Sequence, residues 1–427
     1  MTSADLDTAR RLDAHDELAK FRAEFHLPAR RDGSPAVYFC GHSLGLAPKN
    51  AAMILNEEFT HWSTLGVEGH FEAARPWLSY HELLTPGLAR LAGALESEVV
   101  AMNSLTANLH LMLTSFYRPT PDRPRVLIEK SAFPSDRYAV ASQIAQRGFS
   151  PADHLIEIAP RPGEATLRDE DICELLEREG RSIATVLLPG VQYLSGQFLD
   201  LATITACAQR QGATVGFDLA HAIGNVPLQL HDWNADFAVW CSYKYLNSGP
   251  GAIGGCFVHE RHARAFDLPR FAGWWGHDKT SRFDMPDQFR PIAGAEGWQV
   301  SNPSIFSAAP LLASLALFDE AGMTRLRAKS IALTGFLADL LQQHLHADVT
   351  ILTPASHAAR GCQLSLRVNR SPAEARAIHR ALSGNGYLCD WREPDVIRVA
   401  PVPLYNTFVE VREFVEALTA TLAAPQS

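Results

Sequence analysis

Between residues 126 and 258 short apolar runs alternate with amphipathic helical stretches, without an internal sequence repeat. The strand candidates are Val126–Glu129, Thr185–Leu188, Thr214–Asp218, Phe237–Ser242 and Ile253–Val258. Helix candidates between them include Glu170–Glu179 and Ala202–Gln211, with Gly180 and Gly212 where each would stop. Strands that alternate with helices predict a mostly parallel sheet covered on both faces. After about residue 305 the pattern changes. A long helical stretch, Ala308 to His344, leads into strands Val349–Leu352, Leu364–Val368 and Val396–Ala400, and a last helix runs from about Phe408 to Leu422. Ser371-Pro372-Ala373-Glu374 opens another helix, with a capping serine, proline in the first turn and glutamate three residues on. The expected organisation is an N-terminal helix (residues 3–25) and extended segment over 1–45, a large α/β domain over 46–305, and a connecting helix with a smaller α+β domain over 306–427.

The chain is long enough for this, and its composition excludes several alternatives. Its 427 residues are 47% hydrophobic and 20% charged, which supplies a core and carries no sign of disorder. A net charge of −9 without a basic run argues against a nucleic-acid binder. The charged start, with Asp5, Asp7, Arg10 and Arg11, is unlike a signal peptide, and no later segment is apolar long enough to span a bilayer. Seven scattered cysteines without a Cys-x-x-Cys predict a reduced, cytoplasmic chain. His259-Glu260-Arg261-His262 comes nearest to a zinc motif, but its i,i+3 spacing is not the i,i+4 of His-Glu-x-x-His, so no metal site is expected.

The chemistry concentrates in residues 216–255. Asp218 ends one expected strand, and Lys244 follows the next, 26 positions on. Ligands of such sheets bind at the carboxyl ends of the strands, so both side chains should face one crevice. A lysine between Tyr243 and Tyr245, beside an apolar strand, is expected to be partly desolvated and to lose its proton more easily, as a Schiff-base lysine requires. A carboxylate opposite it is what pyridoxal phosphate needs to keep its ring nitrogen protonated. Either residue alone reads as an ordinary surface lysine or capping aspartate; the pair reads as function. Asn103-Ser104-Leu105-Thr106 precedes an apolar helical run and offers free N–H groups to a phosphate, although locally a plain cap fits as well. Gly249-Pro250-Gly251-Ala252-Ile253-Gly254 matches G-x-G-x-x-G, yet a strand follows where a dinucleotide fold needs a helix. The absence of a G-x-S-x-G elbow speaks against a Ser-His-Asp hydrolase.

Five segments together carry a resemblance: Phe39-Cys40-Gly41-His42-Ser43-Leu44-Gly45, Phe133-Pro134-Ser135-Asp136, Gly216 to Ala222, Trp240 to Asn247, and Arg398 to Asn406. From about residue 36 to 425 the chain resembles the kynureninases, fold-type I pyridoxal-phosphate enzymes related to class V aminotransferases. These are generally homodimers with shared active sites. The resemblance implies hydrolysis of kynurenine or 3-hydroxykynurenine to anthranilate or 3-hydroxyanthranilate plus alanine. It makes Lys244 the Schiff-base lysine, Asp218 the partner of the ring nitrogen, and Phe133 an apolar wall against the ring. Leu105, Thr106, Pro134, Ser135, Asp136, His221, Tyr243, Trp274 and Asn302 would complete the cofactor site, with Trp274 donating to the phosphate and Asn302 reaching over from a partner subunit. Tyr243 is the candidate proton relay. Arg398 would clamp the substrate carboxylate, and His70, Ser301 and Asn302 would line the aryl pocket and favour the 3-hydroxy substrate. Read locally, Trp274 is a core residue, Arg398 a surface arginine and His70 a solvated loop residue. His42 stands where the family usually has Asn. Rival readings on the same fold are an aminotransferase or a cysteine desulfurase with Cys362 as nucleophile; a catalytically dead cofactor-binding scaffold is a third.

Overall fold

The computed structural model describes residues 1–424. A seven-stranded sheet forms its centre, in the order Val99–Ala101, Gly255–Val258, Phe237–Trp240, Thr214–Asp218, Ile183–Pro189, Arg125–Glu129, Leu155–Ile158. Every pairing is parallel except the two made by Gly255–Val258, the one reversed strand. The Phe237 and Gly255 strands are buried throughout, because helices cover both faces and leave no polar side to the pleat. One face packs against Leu109, Met112 and Phe116, the other against Leu201, Ile204 and Leu315.

Four expectations need correction. The Phe237 strand stops at Trp240 instead of Ser242, and the chain leaves the sheet there to carry Lys244. Strands Val99–Ala101 and Leu155–Ile158 were not expected; they are three and four residues long, too short for a period of two to stand out. The first helix ends at Ala14, and a separate 3-10 turn covers Ala19–Glu24. The single long connecting helix is two, Ile305–Ala321 and Met323–Leu345, bent by 82° about Gly322, whose φ of +74° ends the first. Among the described residues no single helix is long and apolar enough to cross a membrane.

The cysteines need a correction too. Cys173 and Cys207 form a disulfide between helices Asp169–Glu179 and Leu201–Arg210, their Cα atoms 5.6 Å apart. The other five are free thiols.

The C-terminal part is a four-stranded antiparallel sheet in the order Asp390–Arg392, Val396–Val399, Leu364–Val368, Val349–Ile351. Its core of Leu333, Leu337, Leu366, Ile397 and Phe414 also takes in Val37 and Phe39 from the N-terminal segment. That segment pairs through Val37–Tyr38 with Tyr387–Leu388, then turns into the large domain. There the Gly45 N–H donates to the Tyr243 carbonyl at 2.8 Å. A Cβ at Gly45 would lie 2.3 Å from the Lys244 carbonyl oxygen, so only glycine lets the strap pass so close to the lysine turn.

Candidate active site

Asp218 is the last residue of its strand and is buried at 8% exposure, its Oδ1 accepting the Ala220 N–H at 2.6 Å. Lys244 sits in the turn beyond the neighbouring strand, half-buried, and both open onto one cavity at the carboxyl end of the sheet. The Lys244 Nζ lies 5.9 Å from the ring centroids of both Phe133 and Tyr243. Burial pushes the Tyr243 phenol well above its ordinary range, so it stays protonated and can donate.

Two helices begin at the same cavity. Leu105–Phe116 starts without a side-chain cap, and Pro134–Gln146 starts with proline in its first turn. Their Thr106 and Ser135 hydroxyls stand 2.6 Å apart. Uncapped helix N-termini present N–H groups to an anion, and their dipoles favour it. Asp136, buried beside the Asp218 carboxylate, is pushed well above the usual carboxylate range, chiefly by desolvation. Its Oδ1 has no partner, nor has Nδ1 of His221, which burial keeps neutral. An amine, an apolar wall, a carboxylate across from it, two helix N-termini and orphaned buried polar atoms suit a flat, phosphorylated pyridine aldehyde. Pyridoxal phosphate therefore fits the residues present.

Leu105, Thr106, Phe133, Ser135, Asp136, Asp218, His221, Tyr243 and Lys244 thus line one cavity, with Pro134 opening the helix between Phe133 and Ser135. Sequence reading missed Glu129 and Tyr193 on the same wall. Each lies at or just past the carboxyl end of a strand, which was the available signal. Burial pushes the Glu129 carboxyl up to about 7, with the Asp218 carboxylate adding to the effect. Arg398 is not the surface arginine that local reading allows: it is 1% exposed, and its Nη1 donates to the Tyr193 carbonyl at 2.6 Å.

Arg398 and Pro134 meet this cavity only through their neighbours Tyr193, Phe133 and Ser135, and four further expected site residues do not line it. Trp274 is 45% exposed and donates its indole N–H to the Arg282 carbonyl at 3.1 Å, so within one chain it is neither packed in the core nor part of the cavity lining. Ser301 and Asn302 are exposed. His70 sets the edge of its ring against Trp77, 5.3 Å between centroids, with Nδ1 3.0 Å from the Val67 carbonyl oxygen. Exposed Trp62, Phe71, Phe283 and Phe306 occupy the same parts of the chain.

Two residues singled out for other chemistry are accounted for. His259 gathers with His231 and Glu98, all three offering ligand atoms within 4.8 Å of one another. Those atoms already serve each other and the backbone: Arg261 N–H donates to His259 Nδ1 at 3.1 Å, and Glu260 N–H to Glu98 at 2.7 Å. His262 turns away to Asp236 at 2.8 Å. Cys362 is 1% exposed, and burial pushes its thiol up to about 12, which suits packing and not a nucleophile on a loop.

Comparison with known proteins agrees with this geometry. Residues 326–418 match the model of the kynureninase C-terminal domain. Over 426 residues the chain is 57% identical to the kynureninase of Koribacter versatilis (strain Ellin345), covering 99% of this chain and all of that one. Among solved structures, the cysteine desulfurase CsdA from Escherichia coli superposes with a TM-score of 0.77 at 17% identity, over 95% of this chain and 98% of that one. A C-DES variant with glycine covalently linked to its PLP cofactor gives 0.75 at 20%, over 90% and 96%. These two share the fold.

Proposed function

Because this chain belongs to the kynureninase family, we propose that the Lys244 cavity is where it works and that a second copy of the chain completes it. The reaction is the hydrolytic cleavage of the Cβ–Cγ bond of kynurenine or its 3-hydroxy derivative, giving an anthranilate and alanine. Pyridoxal phosphate, when bound, supplies the electron sink that makes the α-proton acidic.

The residues then divide the labour. Lys244 would hold the cofactor, and its free amine takes the proton from the substrate α-carbon. Asp218, buried at the end of its strand, would hold a proton on the ring nitrogen. Phe133 covers a ring face. The helix starts at Leu105 and Pro134, with the hydroxyls of Thr106 and Ser135, hold the phosphate. Tyr243, kept protonated by burial, moves a proton between the reacting centre and the leaving fragment. Arg398 binds the substrate carboxylate. The observation that carries this reading is Lys244 and Asp218 opening onto one cavity with two uncapped helix starts.

Trp274, Ser301, Asn302 and His70 enter as residues given to, or completed by, the partner subunit. The exposure of Trp274, Ser301 and Asn302, and the exposed aromatics beside them and beside His70, support a homodimer with shared sites. A polar aryl pocket of His70, Ser301 and Asn302 favours 3-hydroxykynurenine. The five free thiols favour a cytoplasmic enzyme. The test of the central claim is Lys244→Ala. The variant is expected to fold and to lose both the absorbance near 420 nm and anthranilate formation, the latter by several orders of magnitude. Surviving turnover would remove Lys244 from its role.

A further inference from the structure

The guanidinium of Arg398 is held on two edges before any substrate arrives. Asp390 faces it directly across the antiparallel pair, residue against residue. The Asp390 Oδ2 accepts from Arg398 Nε at 2.6 Å and lies 2.5 Å from Nη2. On the far side Nη1 donates to the Tyr193 carbonyl at 2.6 Å, and Tyr193 lines the Lys244 cavity. Nε with one proton of Nη2 makes the side-on fork, so Asp390 occupies that edge. Nη1 and Nη2 each keep one further N–H beyond these bonds, and an end-on Nη1/Nη2 pair is an edge suited to a bidentate carboxylate.

Asp390 is itself steadied. Arg392 Nε donates to the same Oδ2 at 3.0 Å. His42 lies behind, fully buried, with Nε2 3.9 Å from Oδ2 and no hydrogen-bond partner on either nitrogen. Burial and the nearby Arg398 charge hold the His42 ring neutral, with its pKa down at about 3, so it adds no further cation to those of Arg398 and Arg392.

We propose that Asp390, backed by the buried His42, is a positioning residue that turns the guanidinium of Arg398 so that its end-on edge faces the substrate carboxylate. This rests on Arg398 being the carboxylate clamp. A planar fork discriminates only when its plane is fixed, and a buried arginine without a counter-charge would swing toward whatever acceptor it could reach.

The experiment uses the cofactor-loaded enzyme and three variants: Asp390→Asn, Asp390→Ala and Arg398→Lys. Asparagine keeps an oxygen for Arg398, so Asp390→Asn guards against a variant that fails to fold, and the cofactor absorbance reports loading. For each, KM and kcat for kynurenine are measured, with the inhibition constant of the amine that lacks only the α-carboxylate. Asp390→Asn is expected to raise KM about tenfold with kcat within about threefold, and Asp390→Ala to raise it further. The carboxylate-free inhibitor should bind all variants as it binds the parent. A general loosening of the fold would weaken the inhibitor as well, and that result would overturn the proposal. So would an unchanged KM in both Asp390 variants while Arg398→Lys raises it. If Arg398→Lys leaves KM unchanged, the clamp assignment itself falls, and the role of Asp390 with it.

Discussion

At the scale of single residues, the site works by setting burial against charge. Asp136 and Glu129 are carboxyls that burial beside Asp218 pushes toward their neutral forms, while His42 and His221 are imidazoles that burial keeps uncharged. Burial thus removes charge from several groups in and around the cavity, which is lined by Lys244 and Asp218 and adjoined through Tyr193 by the Arg398–Asp390 pair. The same reasoning applies to substrate preference. If His70, Ser301 and Asn302 meet the aryl ring in the dimer, a substrate without the 3-hydroxyl leaves polar groups unpaired, at roughly 1–3 kcal/mol for each that stays buried. The expected kcat/KM is accordingly higher for 3-hydroxykynurenine, and His70→Trp should shift the ratio toward kynurenine. Equal values for the two substrates, or a ratio that the substitution leaves in place, would end the idea.

At the scale of elements, the glycine run 249–254 finds an explanation that its dinucleotide-like spacing obscured. Gly249 and Gly251 have φ of +83° and +74° and make the turn after the lysine loop. Gly254 is needed for room instead. A Cβ there would sit 2.9 Å from the Trp240 carbonyl oxygen and 3.1–3.2 Å from the backbone of Ser104 and Leu105, where the first phosphate-facing helix begins. The Gly254 N–H also donates to the Asn103 carbonyl at 2.7 Å, tying strand to helix start. Gly254→Ala should thus displace the helix N-terminus and weaken cofactor retention, measured by absorbance after dialysis. A variant that retains cofactor like the parent would show that the contact does not set the site. Helix Pro372–Gly384 offers a separate check on local structure, since Ser371 and Glu374 form a complete capping box. Ser371→Ala is expected to cost about 1 kcal/mol in chemical denaturation, with activity unchanged.

At the scale of the whole molecule, the proposed shared site makes oligomeric state the quantity to test. With Trp274 exposed and bonded to the Arg282 carbonyl, and Asn302 exposed, dilution below the proposed dimer's dissociation constant should lower both cofactor occupancy and turnover. A monomer that is fully active at assay concentrations would contradict the shared site. Acid should also act on the molecule as a whole. The His42 pKa is depressed from 6.5 in a free chain to about 3 here, so between those values the unfolded chain binds the extra proton. Stability contributed by a neutral buried His42 is present above pH 6.5 and is lost as pH falls through that window, by about 1 kcal/mol per pH unit. In His42→Asn the fall in stability from pH 6.5 to 4.5 should be shallower by that amount. Identical slopes would mean that His42 is protonated in the fold.

The sequence by itself determined the alternation of strands and helices, and with it the sheet. It determined the end of the Thr214–Asp218 strand, whose apolar run closes on a carboxylate, and the pairing of Asp218 with Lys244 at one crevice. Such features are local, because the period of the apolar residues and the residue that interrupts them lie within a few positions of each other. Tertiary structure decided what depends on distant segments. Tyr193 and Asp390 flank Arg398 from sequence separations of 205 and 8, and neither carries a motif of its own. The bend at Gly322 broke a helix that periodicity alone would have continued. Cys173 met Cys207 because two neighbouring helices pack side by side, a contact that spacing along the chain does not announce. Packing likewise decided that Trp274 is not a core residue: its ring is left 45% exposed, whereas Trp275 and Trp298 are buried.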